Sequence, residues 1–112
     1  MHKDRISVIQ SEFKRVLSEI IKNEMKDPRI SEMASVTHVE LSRDLKYAKA
    51  YISVYDTEKL KKSTIDTLTH AEHFIKNEVG ARMRMRRLPE IRFMLDTSIE
   101  YSSKISELLK KV

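Results

Sequence analysis

Apolar and polar residues alternate on both sides of a short polar break, and this pattern limits the fold more than any other feature of the chain. From Ser35 to Ser42, Val39 and Leu41 face one way and His38 and Glu40 the other. Beyond Arg43-Asp44-Leu45-Lys46, Ala48, Ala50, Ile52 and Val54 alternate with Lys49, Tyr51, Ser53 and Tyr55. A helix would scatter these apolar residues around its circumference, whereas a strand gathers them on one face. Two such runs joined by a polar break predict an antiparallel hairpin with one buried and one wet face. The alanines on the inner face leave room for a helix to approach.

The flanking segments have the helical period instead. Ile6, Ile9, Phe13, Val16, Leu17, Ile20 and Met25 form one stripe with Asp4 at the N-cap position, and Asp27-Pro28 ends it. A second helical region begins between Thr57 and Ser63, where Ser63 and Asp66 are spaced as a capping box. Its stripe is Leu68, Ala71, Ile75, Val79 and Met83. Continued rigidly, that helix brings Arg86 onto the buried stripe, so it must unwind before Arg86, and Pro89 forces Leu88 to be extended. Ile91, Phe93 and Leu95 then give a third short strand. Thr97 and Glu100 cap a last helix from about residue 97, with Ile105, Leu108, Leu109 and Val112 as its stripe. The order predicts a single α+β domain over residues 1–112, with helices on one face of a three-stranded sheet.

Composition narrows the chemistry. The absence of cysteine removes disulfides, thiolate zinc sites and a cysteine nucleophile. A single glycine cannot build a glycine-rich phosphate cradle or a dinucleotide fingerprint. No apolar run exceeds three residues, so neither a signal peptide nor a membrane span is expected. His70 and His73 are three apart on a helix, but no further ligand cluster accompanies them, and no metal site is expected. Asp44, Asp56 and Asp96 lie near strand ends, where nucleases place carboxylates but turns and caps do too.

Charge is the remaining signal. Residues 81–92 hold five arginines and one glutamate, a local +4 on a chain whose total is +5. Arginine forks can pair two phosphate oxygens at once, so a concentrated excess of this kind suits a polyanion. On stripe geometry Arg82 and Arg84 lie on the helix and Arg86 and Arg87 in the turn before Pro89; Arg86 has Glu90 within reach as a possible ion-pair partner. Arg43, Lys46 and Lys49 surround the hairpin, where charges also protect an edge, and Lys76 can extend the basic face. Tyr51 and Tyr55 on the wet sheet face could stack bases or be covered by the last helix. Met25, Met83, Met85 and Met94 are expected to fill core.

The element order matches the bacterial type of KH domain, and the motifs go further. Val39-Glu40-Leu41-Ser42-Arg43-Asp44-Leu45 with Tyr47-Ala48-Lys49-Ala50-Tyr51-Ile52-Ser53 resembles the hairpin of the ribosome-binding factor A family. So does Met83-Arg84-Met85-Arg86-Arg87-Leu88-Pro89-Glu90-Ile91-Arg92-Phe93; Asp27-Pro28-Arg29-Ile30 and Asp96-Thr97-Ser98-Ile99 also fit. The resemblance implies a type II KH-like fold in which a helix kink, at Ala71-Glu72-His73 here, replaces the Gly-x-x-Gly loop. His73 stands where the family often has glycine.

It implies a non-catalytic, cytoplasmic assembly factor without cofactor or small-molecule substrate. Such a factor binds the immature small (30S) ribosomal subunit and its precursor 16S rRNA as a monomer, supporting late rRNA maturation, especially in the cold. The RNA-binding set implied is Arg43, Lys46, Lys76, Arg82, Arg84, Arg86, Arg87 and Arg92. The alternatives are a protein-interaction module docking through its carboxyl-terminal helix and a small rRNA-processing nuclease.

Overall fold

The structure is a computed structural model that describes residues 5–98. Helix α1 spans Arg5–Glu24 and buries Phe13, Val16, Leu17, Ile20 and Ile21, so the apolar stripe is the packed face. The helix stops before Asp27-Pro28, as expected. There the Asp27 carboxylate accepts from the Arg29 guanidinium and, second, from its backbone N–H, which holds its pKa down at about 2. The expected Asp4 cap falls on residues 1–4, and the last helix beyond Ser98, with Glu100 of its cap, on residues 99–112, outside the described residues.

Strands β1 (Ala34–Leu41) and β2 (Tyr47–Val54) form the antiparallel hairpin, with Val39 opposite Ala50 and Leu41 opposite Ala48. One feature breaks the alternation: the register shifts between Val36 and His38, so Thr37 is an extra residue. This bulge lets Val36 and Val39 both face the core although they are three apart. The Thr37 hydroxyl reaches the Asp96 carboxylate, and with the Ser98 N–H it holds that carboxyl below its usual range.

The second helical region is two helices. Helix α2 (Glu58–His70) is capped by Thr57, whose Oγ1 accepts from Leu60 N at 3.2 Å. The start thus falls at the Thr57 end of the expected range, and Ser63, spaced with Asp66 as a capping box, instead donates to the Arg29 carbonyl at 2.7 Å and ties the first loop to α2. After Ala71 the chain resumes as α3 (Glu72–Met83). The break at Ala71 has φ −92° and ψ 8°, and its N–H is shared between the carbonyls of Thr67 and Leu68. The kink therefore lies in the expected triplet and forms without glycine, because this backbone geometry is open to any L residue.

Strand β3 (Glu90–Leu95) adds to β2 in parallel, giving the order β1-β2-β3. Helices cover one face, where Leu68, Ile75 and Val79 from α2 and α3 join Phe13 and Ile20 over Ala48, Ala50, Ile52 and Phe93. The small alanines admit this close packing. On the other face His38, Glu40, Lys49 and Arg92 are exposed and Tyr51 is half-buried, its ring 5.8 Å from His38.

Candidate nucleic-acid interface

Parallel pairing of β2 with β3 decides where the charge goes. Tyr47 is opposite Glu90, so the hairpin turn leading into β2 and the arginine loop leading into β3 emerge at the same end of the sheet. The Glu90 N–H donates to the Lys46 carbonyl at 2.9 Å, locking the two loops at that point. Residues forty positions apart in sequence thus share one surface.

The hairpin turn is shaped by its own side chains. Ser42 accepts at its carbonyl from Leu45 N (2.9 Å) and donates its hydroxyl to Asp44 Oδ1 (2.7 Å), which also accepts from Lys46 N (3.1 Å). These bonds hold the Asp44 carboxyl below the usual range, the Ser42 hydroxyl first and the Lys46 N–H second. They also place Leu45 in the left-handed region at φ 59°. Arg43 and Lys46 are left exposed on either side.

The arginine loop is shaped by Gly80. Its carbonyl accepts from the N–H groups of Arg84 and Met85, ending α3 with Arg84 left-handed at φ 53°. A non-glycine residue held there costs roughly 1–3 kcal/mol, which the surrounding contacts must offset. A Cβ on Gly80 would lie 1.8 Å from Leu88 Cδ2, so any larger residue there would displace the Leu88 side chain, which rests against the helix at this point. Arg84 is therefore the cap residue, whereas stripe geometry had left it on the helix. Arg86 and Arg87 follow in the loop, and Pro89 is buried beneath them.

The arginines and lysines named from sequence fall into two groups. Arg82 pairs with Glu24 of α1 and lies 3.7 Å from Glu78, joining α3 to α1. Lys76 lies 3.8 Å from Glu72, whose other oxygen accepts from Ile91 N at 3.0 Å on the free edge of β3. Their charges are largely answered within the chain. By contrast, Arg43, Lys46, Arg84, Arg86, Arg87 and Arg92 are exposed and form no ion pair among the described residues; the Arg86–Glu90 pair considered from sequence is not formed. Arg92 stands outward opposite Lys49, continuing the basic surface onto the sheet. His73 is exposed beside the Ala71 break.

Between the two loops and α1 lies a groove of about 460 Å³, which the sequence did not show. Ile9 and Glu12 line it from α1, Asp44 and Leu45 from the hairpin turn, and Met83 to Arg87 from the other side. Met83 and Met85, expected as core, are half-buried along it. Among the described residues no three His, Asp or Glu side chains are grouped to hold a metal, and no helix is long and apolar enough to cross a membrane.

Fold and surface together define a KH-like α+β module whose cations are presented by two loops and not by a glycine clamp. The chain belongs to the ribosome-binding factor A family: that family's model matches residues 5–109. It is 47% identical over 104 residues to ribosome-binding factor A of Caldanaerobacter subterraneus subsp. tengcongensis, covering 93% of this chain and 85% of the relative. Among solved structures it is similar to a putative ribosome-binding factor A of Thermotoga maritima (32% identity, TM-score 0.76, 89% of this chain and 95% of that one). It is also similar to the Thermus thermophilus ribosome-binding factor A homology model fitted into the cryo-EM map of a 30S–factor complex (28% identity, TM-score 0.66, 79% and 91% covered).

Proposed function

We propose that this protein binds the immature small ribosomal subunit in the cytoplasm and acts on 16S rRNA maturation without catalysing a reaction itself. The observation that carries the reading is the convergence of Arg43, Lys46, Arg84, Arg86 and Arg87 at one end of the sheet with no carboxylate paired to them among the described residues. Cations already paired have little left to offer a phosphate; these five do. The rRNA backbone lies across the two loops, Arg92 and Lys49 receive its continuation on the sheet, and the shape of the RNA sets the site. A relative of the same fold fitted into a 30S complex supports the small subunit as the partner. In this reading the protein is a monomer, holds precursor rRNA in a maturation-competent arrangement, and matters most in the cold, when misfolded RNA escapes slowly.

The test is sedimentation of extract from growing cells on a density gradient. Comigration with free small subunits, and not with large subunits or translating ribosomes, is the expected result. Migration only as free protein overturns the proposal, and cleavage of precursor rRNA by the pure protein overturns its non-catalytic part.

A further inference from the structure

The groove between the two loops is not a surface for phosphates alone. Its floor is apolar: Leu45, Met83, Met85 and Ile9 are all half-buried there, each with side-chain surface left uncovered. Its rim is charged in two senses. Arg84, Arg86 and Arg87 come from one wall, and the carboxylates of Asp44 and Glu12 come from the hairpin turn and α1. Both left-handed non-glycine residues of the described chain, Leu45 and Arg84, are in its walls. Strain at two separate loops that meet at one cavity marks a shape the fold maintains against local preference. An apolar slot with phosphate-binding cations along one wall and an acceptor on another has the complementarity of a nucleotide. The base covers the apolar floor, the backbone follows the arginines, and a base amino group meets the carboxylate.

We infer that the groove takes one unstacked nucleotide of the bound RNA, its base lying on Met83, Met85 and Leu45 and its amino edge donating to Asp44. The inference rests on the RNA-binding reading above and adds a single read base to a site otherwise set by shape. Asp44 is suited to the role because only its Oδ1 is used in the turn, by Ser42 and Lys46, while those same bonds keep the carboxyl ionised and able only to accept. Uracil puts its O4 carbonyl where cytosine has the amino group and brings its N3–H to the carboxylate only by shifting the ring off the apolar floor, so it is disfavoured. Glu12 lies at the same groove but within 3.9 Å of Arg15, so its charge is partly answered from its own helix.

The experiment uses the full chain with methyl-labelled methionines and three single-stranded octamers: oligocytidylate, oligouridylate and an abasic ribose-phosphate strand. Cytidylate is expected to bind about tenfold more tightly than the abasic strand, from loss of base stacking. It is expected to bind about fivefold more tightly than uridylate, from the hydrogen bond to Asp44. The Met83 and Met85 methyl signals should move with cytidylate and stay in place with the abasic strand. Asp44→Asn keeps an oxygen for the turn bonds yet offers a donor, and should bring the cytidylate and uridylate affinities together. Should that variant unfold, Met85→Ser should still lose the preference for cytidylate over the abasic strand.

Equal affinity for all three octamers with unmoved methyl signals overturns the base site and leaves backbone binding intact. Failure of every octamer to bind at low salt overturns both readings. Movement of the methionine signals by extracted small-subunit proteins, and by none of the octamers, overturns the nucleotide in favour of a peptide.

Discussion

The helical region that begins at Glu58 is interrupted at Ala71 and finished at Arg84, and the two sites solve the same problem differently. At Ala71 the backbone stays at negative φ, and the first charged residue beyond it is engaged at once: Glu72 bonds the Ile91 N–H and approaches Lys76. At Arg84 the backbone crosses into the left-handed region, and the arginines that follow have no carboxylate partner among the described residues. The first bend closes the fold onto a sheet edge. The second keeps a charged surface open. A kink and a cluster of charge are therefore separate devices, although the same helix serves both.

Substitutions on either side should separate stability from binding. The largest effect on stability is expected at the first bend: Leu68→Ala, in the last turns of α2 and fully buried, should cost about 2–5 kcal/mol in urea unfolding. Its folded fraction should bind rRNA normally; weakened binding at matched folded concentration shows that the two bends are coupled. Arg84→Glu with Arg87→Glu should do the reverse. Affinity for small-subunit RNA should fall about 100-fold near physiological salt, and the salt slope should shrink by about 2, with little change in the unfolding midpoint.

Gly80→Val tests whether loop position matters as well as loop charge. It drives a side chain into Leu88 and should cost about 1–3 kcal/mol, with weaker RNA binding although every arginine remains. Unchanged affinity in that variant means the loop finds its place on the RNA and not on α3. Glu72→Ala removes the acceptor for Ile91 N and should destabilise by about 1 kcal/mol, with Glu72→Gln recovering most of it.

The smallest effect concerns Asp27. Its folded pKa of about 2 lies below the ordinary 3.8, so the unfolded chain binds the proton first and stability falls as pH drops from about 4 towards 2. Asp27→Asn should make that decline shallower without abolishing it, because Asp44, Asp56 and Asp96 are shifted in the same direction. An identical acid profile shows that the Arg29 contact persists in the unfolded chain.

Much of this was legible in the chain. The alternation around Val39 to Val54, the α1 stripe and the Leu68–Met83 stripe each report contacts made by one segment with whatever covers it; all three faces pack on the core, although the last is divided between two helices at Ala71. The errors arose where a distant residue intervened. Ser63 lies inside α2, which Thr57 already caps, and its hydroxyl is turned instead to the Arg29 carbonyl, thirty-four residues away. Arg82 and Arg84 look equivalent from sequence, yet Glu24 claims the first and leaves the second. The Thr37 bulge follows from no local signal and is used by Asp96 from the far side of the sheet.

By itself, then, the sequence determined the order of elements, the size of the basic cluster and the family, because periodicity, breaker residues and charge are local properties; the kink triplet came only from the family resemblance. Tertiary structure alone decided which cations remain free of ion pairs among the described residues, how Leu45 and Arg84 come to wall one groove, and that the hairpin turn and the arginine loop lie side by side. The reason is the parallel register of β2 and β3. Pairing Tyr47 with Glu90 fixes two loops at one end of the sheet, and no pattern confined to either strand encodes its partner.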